Sequence, residues 1–163
     1  MRVRTILMLT LALCFLGVGV GFAYAMNNDM NSDMNIGTWK LNEAQSKIPS
    51  GVTKNTMVVY ESVGNDIKVT TDGTDKDGQP IHTEWTGRYD GKDYPLTGDP
   101  AANTRSYTKV NDHRLALSNK KNGKVMLRGS IVLSADGRSR TLTLMGADAA
   151  GKAVTSIAVY DKQ

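Results

Sequence analysis

The chain has 163 residues, a formal charge of +4, two histidines and a single cysteine. Cys14 falls in an apolar N-terminal run, so the remainder is expected to lack a disulfide framework, a thiol nucleophile and cysteine metal sites. Without Arg2 and Arg4 of that run the charge falls to about +2, too little to single out nucleic acid as a partner.

Residues 1–25 read as a signal peptide. Arg2 and Arg4 form a basic start, Thr5 to Phe22 an apolar run, and Ala23-Tyr24-Ala25 a small-x-small cleavage pattern. This predicts a periplasmic or secreted bacterial protein with no membrane span after cleavage. Two other fates compete. The run is long enough to stay as an anchor, and Cys14 could carry lipid, although Leu13 is bulkier than the Gly, Ala or Ser that lipoprotein signals place there. Cleavage leaves 138 residues without phenylalanine, the size of one domain. Residues 26–35 form a flexible Met/Asn-rich linker. Met26, Met30 and Met34 could offer thioethers to Cu(I), but no His or Cys accompanies them, so a spacer is expected.

From Ile36 one pattern repeats: short runs alternating apolar and polar residues, separated by Gly, Asn and Asp pairs. It predicts strands at 36–41, 55–62, 66–73, 80–89, 93–97, 104–110, 114–120, 124–133, 139–146 and 152–160. Gly64-Asn65, Asp77-Gly78, Asp90-Gly91, Asn111-Asp112, Asn122-Gly123 and Asp136-Gly137 supply the turns. Asn42–Lys47 is a helical candidate of barely one turn. A meander of this kind must close or leave two long edges. The expected class is therefore all-β, a single up-and-down antiparallel meander of about 8–10 strands over 36–163, closed or flattened into a barrel. A β-sandwich needs crossovers, and the one long connection is Asn42–Lys54. The polar strand 104–110, with Arg105, Tyr107 and Lys109 on one face, argues against an outer-membrane barrel.

Gly37-Thr38-Trp39-Lys40-Leu41 resembles the first strand of the calycins, the lipocalins and intracellular fatty-acid-binding proteins. The end, Ala158-Val159-Tyr160-Asp161-Lys162, is similar to the last strand of fatty-acid-binding proteins. Ala158 stands where those proteins carry the arginine that clamps a carboxylate, and 42–54 is too short for their two-helix lid. Gly37–Asn42 and Tyr89–Pro95 also resemble a group of uncharacterised secreted bacterial proteins. The resemblance implies a lipocalin-like barrel. In it Gly37, Trp39, Trp85 and Tyr160 are expected to be structural, with Arg128 or Arg140 laid over the Trp39 ring.

Candidate chemistry is sparse. On strand 80–89, His82, Glu84 and Arg88 share one face and Ile81, Trp85 and Tyr89 the other. The larger apolar set favours the second face inward, leaving the first a solvated row. Were the first inward, His82, Glu84 and Arg88, with Tyr107, would be the ligand contacts. Asp72, Asp75, Asp77 and Glu84 approach a calcium loop, but Gly73 holds its first position and the flanks read as strands, so a charged hairpin is expected. His113 falls in a turn. No nucleophile elbow, phosphate loop or short-range His pair is present, and neither catalysis, a metal nor a cofactor is expected.

The inward candidates, Val59, Val69, Leu115, Leu117, Leu127, Ile131, Leu142, Leu144, Ile157 and Val159, are few and medium-sized. A wide barrel lined by them would keep a cavity. The expected function is a monomeric module binding a small apolar or amphipathic ligand. The alternative is a filled barrel acting as an envelope-associated interaction or inhibitor module, with Gly98–Asn103 as its exposed loop.

Overall fold

The computed structural model describes residues 33–148 and 151–163. The expected signal peptide and most of the linker lie outside these residues. Every predicted strand forms: β1 (Gly37–Leu41), β2 (Lys54–Val63), β3 (Asp66–Thr74), β4 (Pro80–Gly87), β5 (Tyr94–Thr97), β6 (Thr104–Asn111), β7 (Arg114–Lys121), β8 (Lys124–Leu133), β9 (Ser139–Ala147) and β10 (Ala153–Lys162). Each pairs antiparallel with its sequence neighbour, and β1 pairs with β10 to close the barrel. Closure removes both edges.

Turn chemistry fixes these positions. Asn122 and Gly123 both hold positive φ, 51° and 81°, the requirement of a tight type I′ hairpin. The helical candidate is a 3-10 turn, Glu43–Gln45, capped by the Asn42 side chain. Beyond it the chain keeps following β10, through Asn42 N–H to the Val159 carbonyl at 2.8 Å and Lys47 N–H to the Ile157 carbonyl at 2.7 Å. The seam therefore outlasts the five-residue β1.

Side-chain phase follows from register. Trp39 stands opposite Val58, and Val69 opposite Tyr60 and Trp85. All five point inward and are buried. Val69, Leu115, Leu117 and Ile131 lie in the buried core, and Leu127, Leu142 and Leu144 pack on it, as expected. Val59, Ile157 and Val159 do not. They alternate with the buried Val58, Tyr60, Ala158 and Tyr160 and so face outward. Both segments are apolar on both faces, and the larger Tyr60 and Tyr160 rings take the interior because they remove more surface from water.

The end where β1 begins and β10 finishes is plugged. Trp39 is fully buried there and donates its indole N–H to the Asn35 carbonyl at 2.7 Å. Asn35 is itself buried, so the last residues of the stretch expected to be linker are packed against the barrel. Gly37 holds φ 126°, and a Cβ there would press on the Lys162 side chain, which accounts for glycine before the tryptophan.

Candidate functional site

The β4 question has a direct answer. Thr83, Trp85 and Gly87 are buried, whereas His82 and Arg88 are exposed and Glu84 half-exposed. His82 Nδ1 lies 2.6 Å from Asp72, Glu84 pairs with Lys68 at 2.6 Å, and Arg88 pairs with Asp66 at 2.8 Å. The Lys68 hydrogen bond and charge hold Glu84 below the usual carboxylate range. These are polar contacts on the outer wall, worth little in water. His82, Glu84 and Arg88 are therefore not cavity contacts. Of the four ligand-contact candidates, Tyr107 alone lines the interior.

Tyr107 is the hub of an aromatic cluster. Its ring meets those of Trp85, Tyr89 and Tyr60 edge-on, at centroid distances of 4.8, 5.8 and 6.5 Å. Edge-to-face geometry sets the positive ring edge against a negative face. Trp85 donates its indole N–H to the Arg105 carbonyl at 2.8 Å, tying β4 across β5 to β6.

Above this cluster lies a cavity of about 110 Å³. The β8–β9 wall is aliphatic: Leu127, Ile131, Leu142 and Leu144. The polar groups come from the other strands, Thr71, Thr83, Arg105, Asn119 and the Tyr60 and Tyr107 hydroxyls, which lie 3.4 Å apart; Asn119 stands beside Leu127 and Thr71 beside Val58. The lining runs out to the exposed Thr53 and Ala101, which mark the mouth at the end opposite Trp39. Across the mouth sits the β5–β6 connection, 98–103. Asn103 donates to the Asn122 side chain at 2.9 Å and accepts from the Asn122 backbone N–H at 3.0 Å. This clasps the connection to the β7–β8 turn. Inside it, Arg105 Nε donates to Asn119 at 2.7 Å, and Asn119 reaches Asp99 at 3.5 Å.

The floor is Arg140, buried to 3% exposure. Its guanidinium carbon lies 4.6 Å from the ring centres of Trp39 and Tyr60, and 5.2 Å from that of Tyr160. Of the two arginines expected near Trp39, Arg140 is the one that stacks. Burial dominates the tyrosines. It holds the Tyr160 hydroxyl up at about 12 against the opposing pull of Arg140, and pushes Tyr60 further up. Both rings are neutral near pH 7, which keeps their faces as partners for the cation.

Arg140 is in phase with Leu142 and Leu144, so a charge on the apolar face of β9 is a signal present in the sequence. Asn119 and Asp99 carried no such signal, because their roles depend on how 98–103 folds over the mouth. Among the described residues, no group of three His, Cys, Asp or Glu side chains is placed to hold a metal. Asp75, from the calcium-like segment, accepts the Asp77 and Gln79 backbone N–H groups at 2.9 Å each, as a turn residue does. His113 sits in the β6–β7 turn, its backbone N–H bound to Asn111.

The fold and site together define a small closed β-barrel with an amphipathic, end-opening cavity. No protein-family model matches the chain, and no curated protein matches it. Among solved structures it is similar to a redesigned β-barrel, mFAP1, bound to DFHBI. That match is 14% identical, spans 80% of this chain and 95% of the other, and has a TM-score of 0.40. The functional reading therefore rests on this chain's own residues.

Proposed function

We propose that the protein is an exported binding module that holds one small amphipathic molecule inside its barrel. The observation behind this reading is the cavity, which combines an aliphatic β8–β9 wall with arginine, threonine, asparagine and tyrosine groups and opens at one end. A few placed polar groups in an apolar pocket are what orient a small ligand. Size narrows the choice. Apolar cavities of about 150 Å³ admit benzene, so a 110 Å³ space open at its mouth suits a compact molecule and not a long acyl chain. The leader pattern at 1–25 supports a periplasmic or secreted location, and we read the molecule as a monomer.

Native mass spectrometry tests this. Protein expressed from the full chain and taken gently from periplasm is compared with a refolded sample. A discrete extra mass in the native sample alone is the expected result. Bare protein in both, with no mass shift on adding a panel of small metabolites, would overturn the reading and favour the interaction-module alternative.

A further inference from the structure

The Arg140 guanidinium has an unusual set of neighbours. Three aromatic faces surround it, yet its Nε and Nη1 are buried with no hydrogen-bond partner. No ion pair with a carboxylate neutralises it among the described residues. Ring faces offset part of the cost of burying charge, but they do not satisfy N–H donors, and each unmade bond costs free energy. Arg140 also lines the cavity, as does a second guanidinium, Arg105. The one carboxylate in the lining, Asp99, lies at the mouth, beside Asn119. The floor is thus cationic, and two of its guanidinium nitrogens have no hydrogen-bond partner. An anion fits that floor, and the aliphatic wall selects among anions: inorganic phosphate or sulfate would leave Leu127, Leu142 and Leu144 unused.

We infer that the cavity takes a small organic carboxylate, its anionic group on Arg140 and its apolar body along β8 and β9. The inference rests on the reading of the cavity as a ligand site. The residue differs from the carboxylate clamp of the fatty-acid-binding proteins, whose position is Ala158 here.

The test is calorimetric titration of the wild-type protein with benzoate and with the isosteric, uncharged benzamide. The nitrogen–proton NMR signal of Arg140 Nε is followed in parallel. Benzoate is expected to bind at least about tenfold more tightly than benzamide, as a charge-assisted hydrogen bond implies, and to shift the Arg140 Nε signal. Arg140→Met should abolish the preference while benzamide binding persists. Arg105→Met should reduce it less. Equal affinities with a static Arg140 signal would overturn the carboxylate inference and leave the binding-module reading standing. Failure of both probes to bind would overturn the carboxylate inference, and a bare native mass spectrum beside it would remove the parent reading too. The NMR readout uses wild-type protein, so the inference stays testable even if Arg140→Met does not fold.

Discussion

At the scale of single residues, Trp39 joins packing, a hydrogen bond and charge stabilisation. It is fully buried, bonds Asn35, and faces both Arg140 and the Lys162 ammonium, the latter at 5.2 Å. Trp39→Ala should cost about 3–5 kcal/mol in urea unfolding. Trp39→Phe keeps a ring face but strands the Asn35 carbonyl, and should cost about 1–2 kcal/mol. An Ala variant no worse than the Phe variant would contradict the plug. The tyrosines make a pH prediction. Tyr60, Tyr89 and Tyr160 all have raised hydroxyl pKa values, burial being the largest cause in each. A raised folded-state value contributes stability that is complete below the unfolded value, about 10, and is lost as pH climbs toward the folded value. Thermal midpoints should therefore hold to about pH 9 and fall between about pH 10 and 12, with tyrosinate absorbance appearing on unfolding. Tyrosinate forming at Tyr60, Tyr89 or Tyr160 in the still-folded barrel at pH 10 would contradict it. The aromatic plug was legible because Gly-Thr-Trp is a local pattern. The tyrosine cluster was not, since Tyr60 of β2, Tyr89 of the β4–β5 connection and Tyr107 of β6 meet only in the folded barrel.

At the scale of elements, glycines in the turns separate backbone conformation from space. Gly98 and Gly123 hold nearly the same φ, 79° and 81°. A Cβ at Gly123 would meet open solvent, whereas one at Gly98 would collide with the His82 carbonyl. Gly123→Ala should cost about 1 kcal/mol, the ordinary left-handed penalty. Gly98→Ala should cost clearly more, about 2–3 kcal/mol, because β4 must also shift. Equal losses would mean the connection gives way freely. Asn103→Ala removes the clasp on Asn122 and should raise the release rate of a bound carboxylate with little change in thermal midpoint. Strand positions were readable from turn residues and period-2 alternation. Phase was not readable in β2 and β10, where Met57-Val58-Val59-Tyr60 and Ile157-Ala158-Val159-Tyr160 offer apolar residues to both faces. There the cross-strand partner decides, and partners belong to register, which local pattern does not encode.

At the scale of the whole molecule, closure is uneven. β5 has four residues and pairs β4 only at Glu84/Thr97 and Trp85/Leu96, and β6 only at Tyr94/Arg105 and Pro95/Thr104. Pro95 supplies no N–H donor. β7 and β8 by contrast pair from Arg114/Val132 to Lys121/Lys124. Hydrogen exchange should therefore find β5 amides opening well below the global unfolding free energy and β7–β8 amides near it. Uniform protection around the ring would contradict this. The weak sector lies beside 98–103, so the wall that opens most readily is the one that frames the mouth.

Residues 34–38 and 162–163 sit together at the plugged end. Gln163 N–H bonds the Thr38 carbonyl, and Lys162 Nζ reaches the Met34 carbonyl. The mouth lies at the far pole. A surface linkage made at Met34 or Gln163 would therefore hold the barrel by its base, opposite the mouth. An affinity handle after Gln163 would do the same, so the protein can be immobilised for binding measurements without its attachment obstructing ligand entry.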